Sequence, residues 1–138
     1  MLTVTPNFHF KGQCKQALEL YVSALGATMV SVVYYADANS ADWAISEGDG
    51  GLVFHAEFYI GEQRCFASDA SDIDIVGGNA QSLVVMFDDA AKGMAAYDAL
   101  REDGTVVYPM KQMLHGSCDS CVIDRYGIRW EILIAEGK

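Results

Sequence analysis

At 138 residues the chain fits one compact domain whose core is large enough to fold without disulfides or metal staples. Hydrophobic residues make up 51% and charged residues 20%, a globular balance that excludes a disordered chain. The formal net charge of −10, with only nine Lys and Arg, excludes nucleic acid and argues against an anionic membrane surface, because both need a basic patch that displaces counterions.

The opening Met1-Leu2-Thr3-Val4-Thr5-Pro6 has no basic segment followed by an apolar core, so no secretory leader is expected. No apolar run nears the ~20 residues that span a bilayer. A cytoplasmic, reducing compartment is expected, with Cys14, Cys65, Cys118 and Cys121 as free thiols.

In chain order, alternation predicts a first strand with Val4, Pro6, Phe8 and Phe10 on one face and Thr3, Thr5, Asn7 and His9 on the other. Cys14, Ala17, Leu18, Tyr21, Val22 and Leu25 then recur at helical spacing, and Gly26 stands where a helix stops. Thr28 to Tyr35 is β-branched and aromatic, a second strand. Ala36 to Gly51 reads as a long loop with an apolar patch at Trp43 and Ile45, the kind of segment that often contacts ligands. From Leu52 to Ile60 the alternation returns, with Phe54, Ala56, Phe58 and Ile60 opposite Val53, His55, Glu57 and Tyr59. Gly61-Glu62 is a hairpin signal leading into a strand over Arg64 to Ser68.

Asp69 to Ala80, with Gly77-Gly78-Asn79, has linker composition. A strand follows at Ser82 to Phe87, then an N-cap at Asp88-Asp89 and a helix over Ala90 to Arg101 with Met94, Tyr97 and Leu100 on one side, closed by Gly104. Strands are expected at Thr105 to Tyr108, Ser117 to Ile123 and Ile128 to Ile134, the last two joined by Asp124-Arg125-Tyr126-Gly127. Both halves therefore run strand, helix, strand, strand, strand, an internal repeat. The expected fold is α+β: two βαβββ modules, residues 1–70 and 80–138 joined by a linker at 71–79, forming a curved mixed sheet with the helices outside.

Parity assigns faces in that sheet. Ile128, Trp130, Ile132 and Ile134 should face a helix, which leaves Arg129, Glu131 and Leu133 on the concave side. His55 and Glu57 share the concave face of their strand and read either as an acid–base pair or as a solvated surface. His9 lies on the polar face of the first strand, where it can join the same cavity or simply be a hydrogen-bonded surface histidine. Arg129 and Glu131 either read a polar ligand or pair with each other. Met110, Met113 and Leu114, with Trp43 and Tyr59, can line an adaptable apolar pocket or belong to the core. His115 heads the run to Cys118 and Cys121. Three residues apart on a strand these cysteines point to opposite faces, so chelation by that pair alone is not expected.

Four segments stand out together: Phe8-His9-Phe10-Lys11-Gly12-Gln13-Cys14 through Tyr21-Val22-Ser23-Ala24-Leu25-Gly26, Phe54-His55-Ala56-Glu57-Phe58-Tyr59-Ile60-Gly61, Tyr97-Asp98-Ala99-Leu100-Arg101-Glu102-Asp103-Gly104, and Asp124-Arg125-Tyr126-Gly127-Ile128-Arg129-Trp130-Glu131. In these the chain resembles the vicinal oxygen chelate superfamily of glyoxalase and bleomycin-resistance proteins, more narrowly its PhnB-like, demethylubiquinone methyltransferase-like branch.

The resemblance implies paired βαβββ modules, a homodimer and a small-molecule ligand. In metal-dependent members it implies ligands on the first and last strand of each module. Carried over, those positions fall near Thr5 or Pro6, within Cys65 to Ala67, at Ser82 and at Glu131. Only Glu131 is a good ligand, so neither metal nor other cofactor is expected. The glycine clusters at 48–51 and 77–78 precede strands, unlike a cofactor-cradling turn into a helix, so methyl transfer is not expected either. The function expected is small-molecule binding. It is either metal-independent catalysis by Glu131, His55 and Glu57 with His9, Arg129, Tyr59, Trp43 and His115 against the substrate, or sequestration without turnover, or, on the superfamily pattern, a metal-dependent glyoxalase-like or lyase-like reaction.

Overall fold

A computed structural model describes residues 1–37, 51–70, 73–114 and 116–136 of the chain. The chain divides into two compact units, Met1–Val76 and Gly77–Lys138. Trp43 and His115 lie outside the described residues.

In the first unit, β1 (Asn7–Phe10) leads into α1 (Cys14–Leu25) and β2 (Thr28–Tyr34). A 3-10 turn over Tyr35–Asp37 follows, and β3 (Val53–Ile60) and β4 (Gln63–Asp69) close the unit. The sheet order is β1-β4-β3-β2, with β1 parallel to β4 and the other pairs antiparallel. Phe8 and Phe10 are buried, as alternation predicts, and so are Ala56 and Phe58 from β3. The Phe8 ring meets Tyr21 of α1 and Phe58 of β3 edge-on, at centroid distances of 5.9 and 5.8 Å. Such contacts are worth about 0.5–1.5 kcal/mol each beyond burial, and they pin the helix to one sheet face. Gly26 ends α1 in the left-handed conformation (φ 66), where a side chain would be strained.

In the second unit, β5 (Leu83–Phe87), α2 (Ala90–Arg101), β6 (Thr105–Gln112), β7 (Cys118–Ile123) and β8 (Arg129–Ile134) repeat the pattern in the order β5-β8-β7-β6, with β5 and β8 parallel. The repeat reaches single hydrogen bonds. Ala70 donates its N–H to the Phe10 carbonyl at 2.7 Å, and Ala135 donates to Phe87 at 2.8 Å. The fold is α+β, built from two βαβββ modules. Asp89 caps α2 by accepting the Lys92 amide at 3.0 Å. Trp130, Ile132 and Ile134 are buried on the α2 side, and the Trp130 indole donates to Asp124 at 2.9 Å.

Five details differ from the sequence reading. Val4 is 83% exposed because β1 pairs only from Asn7 onward. On α1, Leu20 is buried and Val22 exposed, so the buried stripe is rotated toward Leu20. On α2, Met94 is exposed while Gly93 lies against the sheet, where a Cβ would come within 2.6 Å of Ile134 Cγ1. Gly104 is not the helix cap: Asp103 takes the positive φ (57), and a Cβ at 104 would fall 2.3 Å from the Ile123 carbonyl of β7. β6 also runs past Tyr108 to Gln112. It tolerates Pro109 because it is an edge strand whose register shifts on either side of Tyr108.

Candidate functional site

Register places Glu131 of β8 between Val84 of β5 and Cys121 of β7, on the face that α2 does not cover. Two hydroxyls hold its carboxylate. Ser82 donates to Oε2 at 2.5 Å and Tyr108 donates to Oε1 at 3.3 Å. Burial first, and the Glu131 carboxylate second, push the Tyr108 phenol above its ordinary pKa, so it stays protonated as a donor. Arg129, on the same face two residues earlier, donates from Nε to the Cys121 sulfur at 3.3 Å and from Nη1 to the Asn79 carbonyl at 2.6 Å. No ion pair joins Arg129 to Glu131, which removes the expectation that the two simply neutralise each other. Val84 and Met86 stand on the same side of β5, 58% and 64% exposed.

In the first unit, His9, His55, Glu57 and Tyr59 all fall on the face opposite α1. The His9 ring hydrogen-bonds the Ser68 hydroxyl at 3.1 Å. Glu57 accepts from Arg64 Nε at 2.7 Å, and the Arg64 guanidinium lies 4.6 Å over the Phe66 ring. The His55 ring packs on Phe66 at 4.9 Å. His55 and Glu57 are thus neighbours on a strand, each engaged by β4: Glu57 by an ion pair and His55 by an aromatic ring. The Glu57–Arg64 pair is partly exposed, so it contributes at most about 1 kcal/mol.

Arg64, Phe66 and Tyr108 were missed as partners. For Arg64 and Phe66 a signal exists: the Gly61-Glu62 hairpin pairs Ile60 with Gln63 and so sets Tyr59 opposite Arg64 and Glu57 opposite Phe66. Tyr108 reaches Glu131 across two strand pairings, and parity along one strand carries no signal for that.

The donor set does not fit a catalytic divalent metal. On β4 the residue facing away from α1 is Phe66, while Cys65 and Ala67 are fully buried on the α1 side. Cys65, the one side chain within the carried-over position Cys65 to Ala67 that could bind a metal, is therefore on the wrong face, and burial raises its thiol pKa. Ser82 is neutral and already donates to Glu131. Among the described residues, no three His, Cys, Asp or Glu side chains converge as a metal group.

Residues 2–133 match the model of the family described as 3-demethylubiquinone-9 3-methyltransferase. The chain belongs to that family. It is a PhnB-like member of the vicinal oxygen chelate superfamily. No curated protein matches it significantly.

Among solved structures, a putative 3-demethylubiquinone-9 3-methyltransferase, PhnB protein, of Bacillus cereus is 22% identical. It covers 97% of this chain and 100% of its own, with a TM-score of 0.82. A Pseudomonas aeruginosa protein is 23% identical over 100% of both chains, with a TM-score of 0.83. The fosfomycin resistance protein FosX of Mesorhizobium loti is 11% identical over 98% of this chain and 94% of its own, with a TM-score of 0.63. At these identities the PhnB-like chain shares their fold. No described helix is long and apolar enough to cross a membrane.

Proposed function

We propose that this PhnB-like chain binds a small molecule on the open face of its second unit and acts on it by metal-independent acid–base chemistry through Glu131. The supporting observation is that two hydroxyl donors, Ser82 and Tyr108, converge on one carboxylate on the side of the sheet away from the helix. They fix its orientation and leave lone pairs for a ligand donor. Tyr108 supplies a protonated hydroxyl beside it. The open face of the first unit, with His9, His55, Glu57 and Tyr59, is proposed as a ligand-contacting surface in its own right. Methyl transfer forms no part of the proposal, since Gly77 and Gly78 run toward β5 rather than into a helix N-terminus.

Mass spectrometry of what the untagged protein releases on denaturation tests this reading. The wild type should release a small molecule, and Glu131→Gln, equally folded, should release at least tenfold less. Equal release from the two proteins would defeat it.

Sequestration without turnover is the second reading. It is supported by the Arg64 side chain held on Glu57 and by the His55 ring packed at a tilt against Phe66, contacts that suit a recognition surface better than a proton relay. Incubating the released molecule with fresh protein separates the two: an unchanged mass means sequestration.

The proposal includes a cytoplasmic homodimer. The four free cysteines suit a reducing compartment. Edge strands β2 and β6 expose Val30, Val32, Val106 and Val107, surfaces that a second copy covers in many sheet proteins. Light scattering should give about twice the 15.0 kDa of one chain, and a monomer mass at micromolar concentration removes the dimer.

A further inference from the structure

Glu131 and Arg129 carry opposite charges on one strand face, about 6.6 Å apart along the backbone, a span their side chains can close. They do not meet. Neither side chain takes part in the ion pairs Lys11–Asp74, Arg64–Glu57 or Arg101–Asp98. Ser82 and Tyr108 draw the carboxylate one way, and Cys121 and Asn79 draw the guanidinium another. Of the five guanidinium protons these bonds use two, so three remain for a ligand. Each Glu131 oxygen keeps a further acceptor site. Asp119, the next acid on this face, takes the Ser117 hydroxyl at 3.0 Å and lies opposite Lys111 in the register.

We infer that this separated pair is a receptor for a zwitterion with an apolar chain: an ammonium group on Glu131, a carboxylate on Arg129, and the chain along Val84 and Met86. The inference rests on the small-molecule reading above and names its ligand class. A zwitterion satisfies both poles at once. A singly charged ligand leaves the opposite pole desolvated and uncompensated. Because no internal ion pair has to break first, the two poles are already organised for such a ligand. Val84 lies directly opposite Glu131 in the parallel register and Met86 opposite Leu133, so the exposed apolar track begins at the carboxylate and runs along β5.

Methyl NMR on the full chain, observing Val84 and Met86, tests this with three probes of similar length: 2-aminooctanoic acid, octanoic acid and heptylamine. The zwitterion should bind with a Kd at least tenfold below either singly charged probe. Its advantage over octanoic acid should vanish in Glu131→Gln, and its advantage over heptylamine should vanish in Arg129→Gln. If a singly charged probe shifts the same methyls with equal affinity, the zwitterion assignment is wrong while the small-molecule reading stands. If none of the three shifts them, the assignment is also wrong, and the release experiment decides the small-molecule reading separately.

Discussion

The Asp69 carboxylate accepts the backbone amide of Cys14 at 2.9 Å through Oδ1, and through its other oxygen it accepts the amide of Val53 at 3.0 Å. The end of β4 thereby ties down the first residue of α1 and the first residue of β3. The negative charge sits at a helix N-terminus whose own cap residue, Gln13, offers no side-chain bond. Asp69 is almost fully buried, and its carbonyl takes the Tyr35 hydroxyl at 3.0 Å. Asp69→Asn keeps the shape but turns one acceptor into a donor that faces an N–H. That should cost about 2–4 kcal/mol of stability in urea unfolding. The exposed cap of α2 should be far less sensitive, with Asp89→Asn costing under about 1 kcal/mol. Equal losses at the two positions would show that Asp69 is not the node described.

The contrast between these two caps shows how much the sequence discloses. Asp89 is legible because its partner, Lys92, lies three residues away in the same turn. Asp69 sits at the head of a stretch with linker composition, and its partners lie 55 and 16 residues away. The same division holds at the candidate site. Parity alone puts Glu131, His55 and Glu57 on the faces the structure gives them, but Ser82 and Tyr108 reach Glu131 from 49 and 23 residues away, across strands whose register is set by tertiary packing. Gly104 misleads for a related reason. A glycine after a helix resembles a cap, whereas this one is required by the approach of β7.

Cys14 gives the protein an alkaline weakness. Burial chiefly, and the Asp69 carboxylate beside it, push its thiol from 9.0 up to about 12. A folded pKa above the unfolded one means that this contribution to stability is complete below pH 9 and is lost as pH rises toward 12. The loss approaches about 1.4 kcal/mol per pH unit for this one group. Cys65 and Tyr108 are shifted upward too and add with the same sign. Urea midpoints between pH 8 and 10.5 should therefore fall less steeply in Cys14→Ala than in the wild type. Identical slopes would mean that the thiol is not protected.

Tyr108 reports on Glu131 without any ligand. Its phenol is raised partly by the adjacent carboxylate and chiefly by burial, so Glu131→Gln should lower its pKa without returning it fully to 10.0. The difference between ultraviolet titrations of each background and its Tyr108→Phe partner isolates this tyrosine from the other six. Ser82→Ala, which leaves the charge in place, should shift the curve much less. A Glu131→Gln curve that overlays the wild type would remove Glu131 from the surroundings of Tyr108.

Metal content separates the acid–base reading from a glyoxalase-like one. Affinity for zinc or nickel comes from several convergent ligands held by their own hydrogen-bonded neighbours. Among the described residues, Glu131 is bonded by a serine hydroxyl and a phenol held protonated, and the Cys121 thiol opposite it is engaged by the Arg129 guanidinium, so no three His, Cys, Asp or Glu side chains converge there. The corresponding β4 position on the open face of the first unit is the phenyl ring of Phe66, and the cysteine next to it points under the helix. Elemental analysis of untagged protein purified without chelators should therefore find far less than one transition metal per chain, and added zinc should leave the melting temperature unchanged. Glu131→Ala makes the outcome decisive in the other direction. One tightly held metal per chain, lost together with ligand release in that variant, would mean that groups unseen in this donor set complete a site around Glu131, and the chemistry would then be metal-dependent.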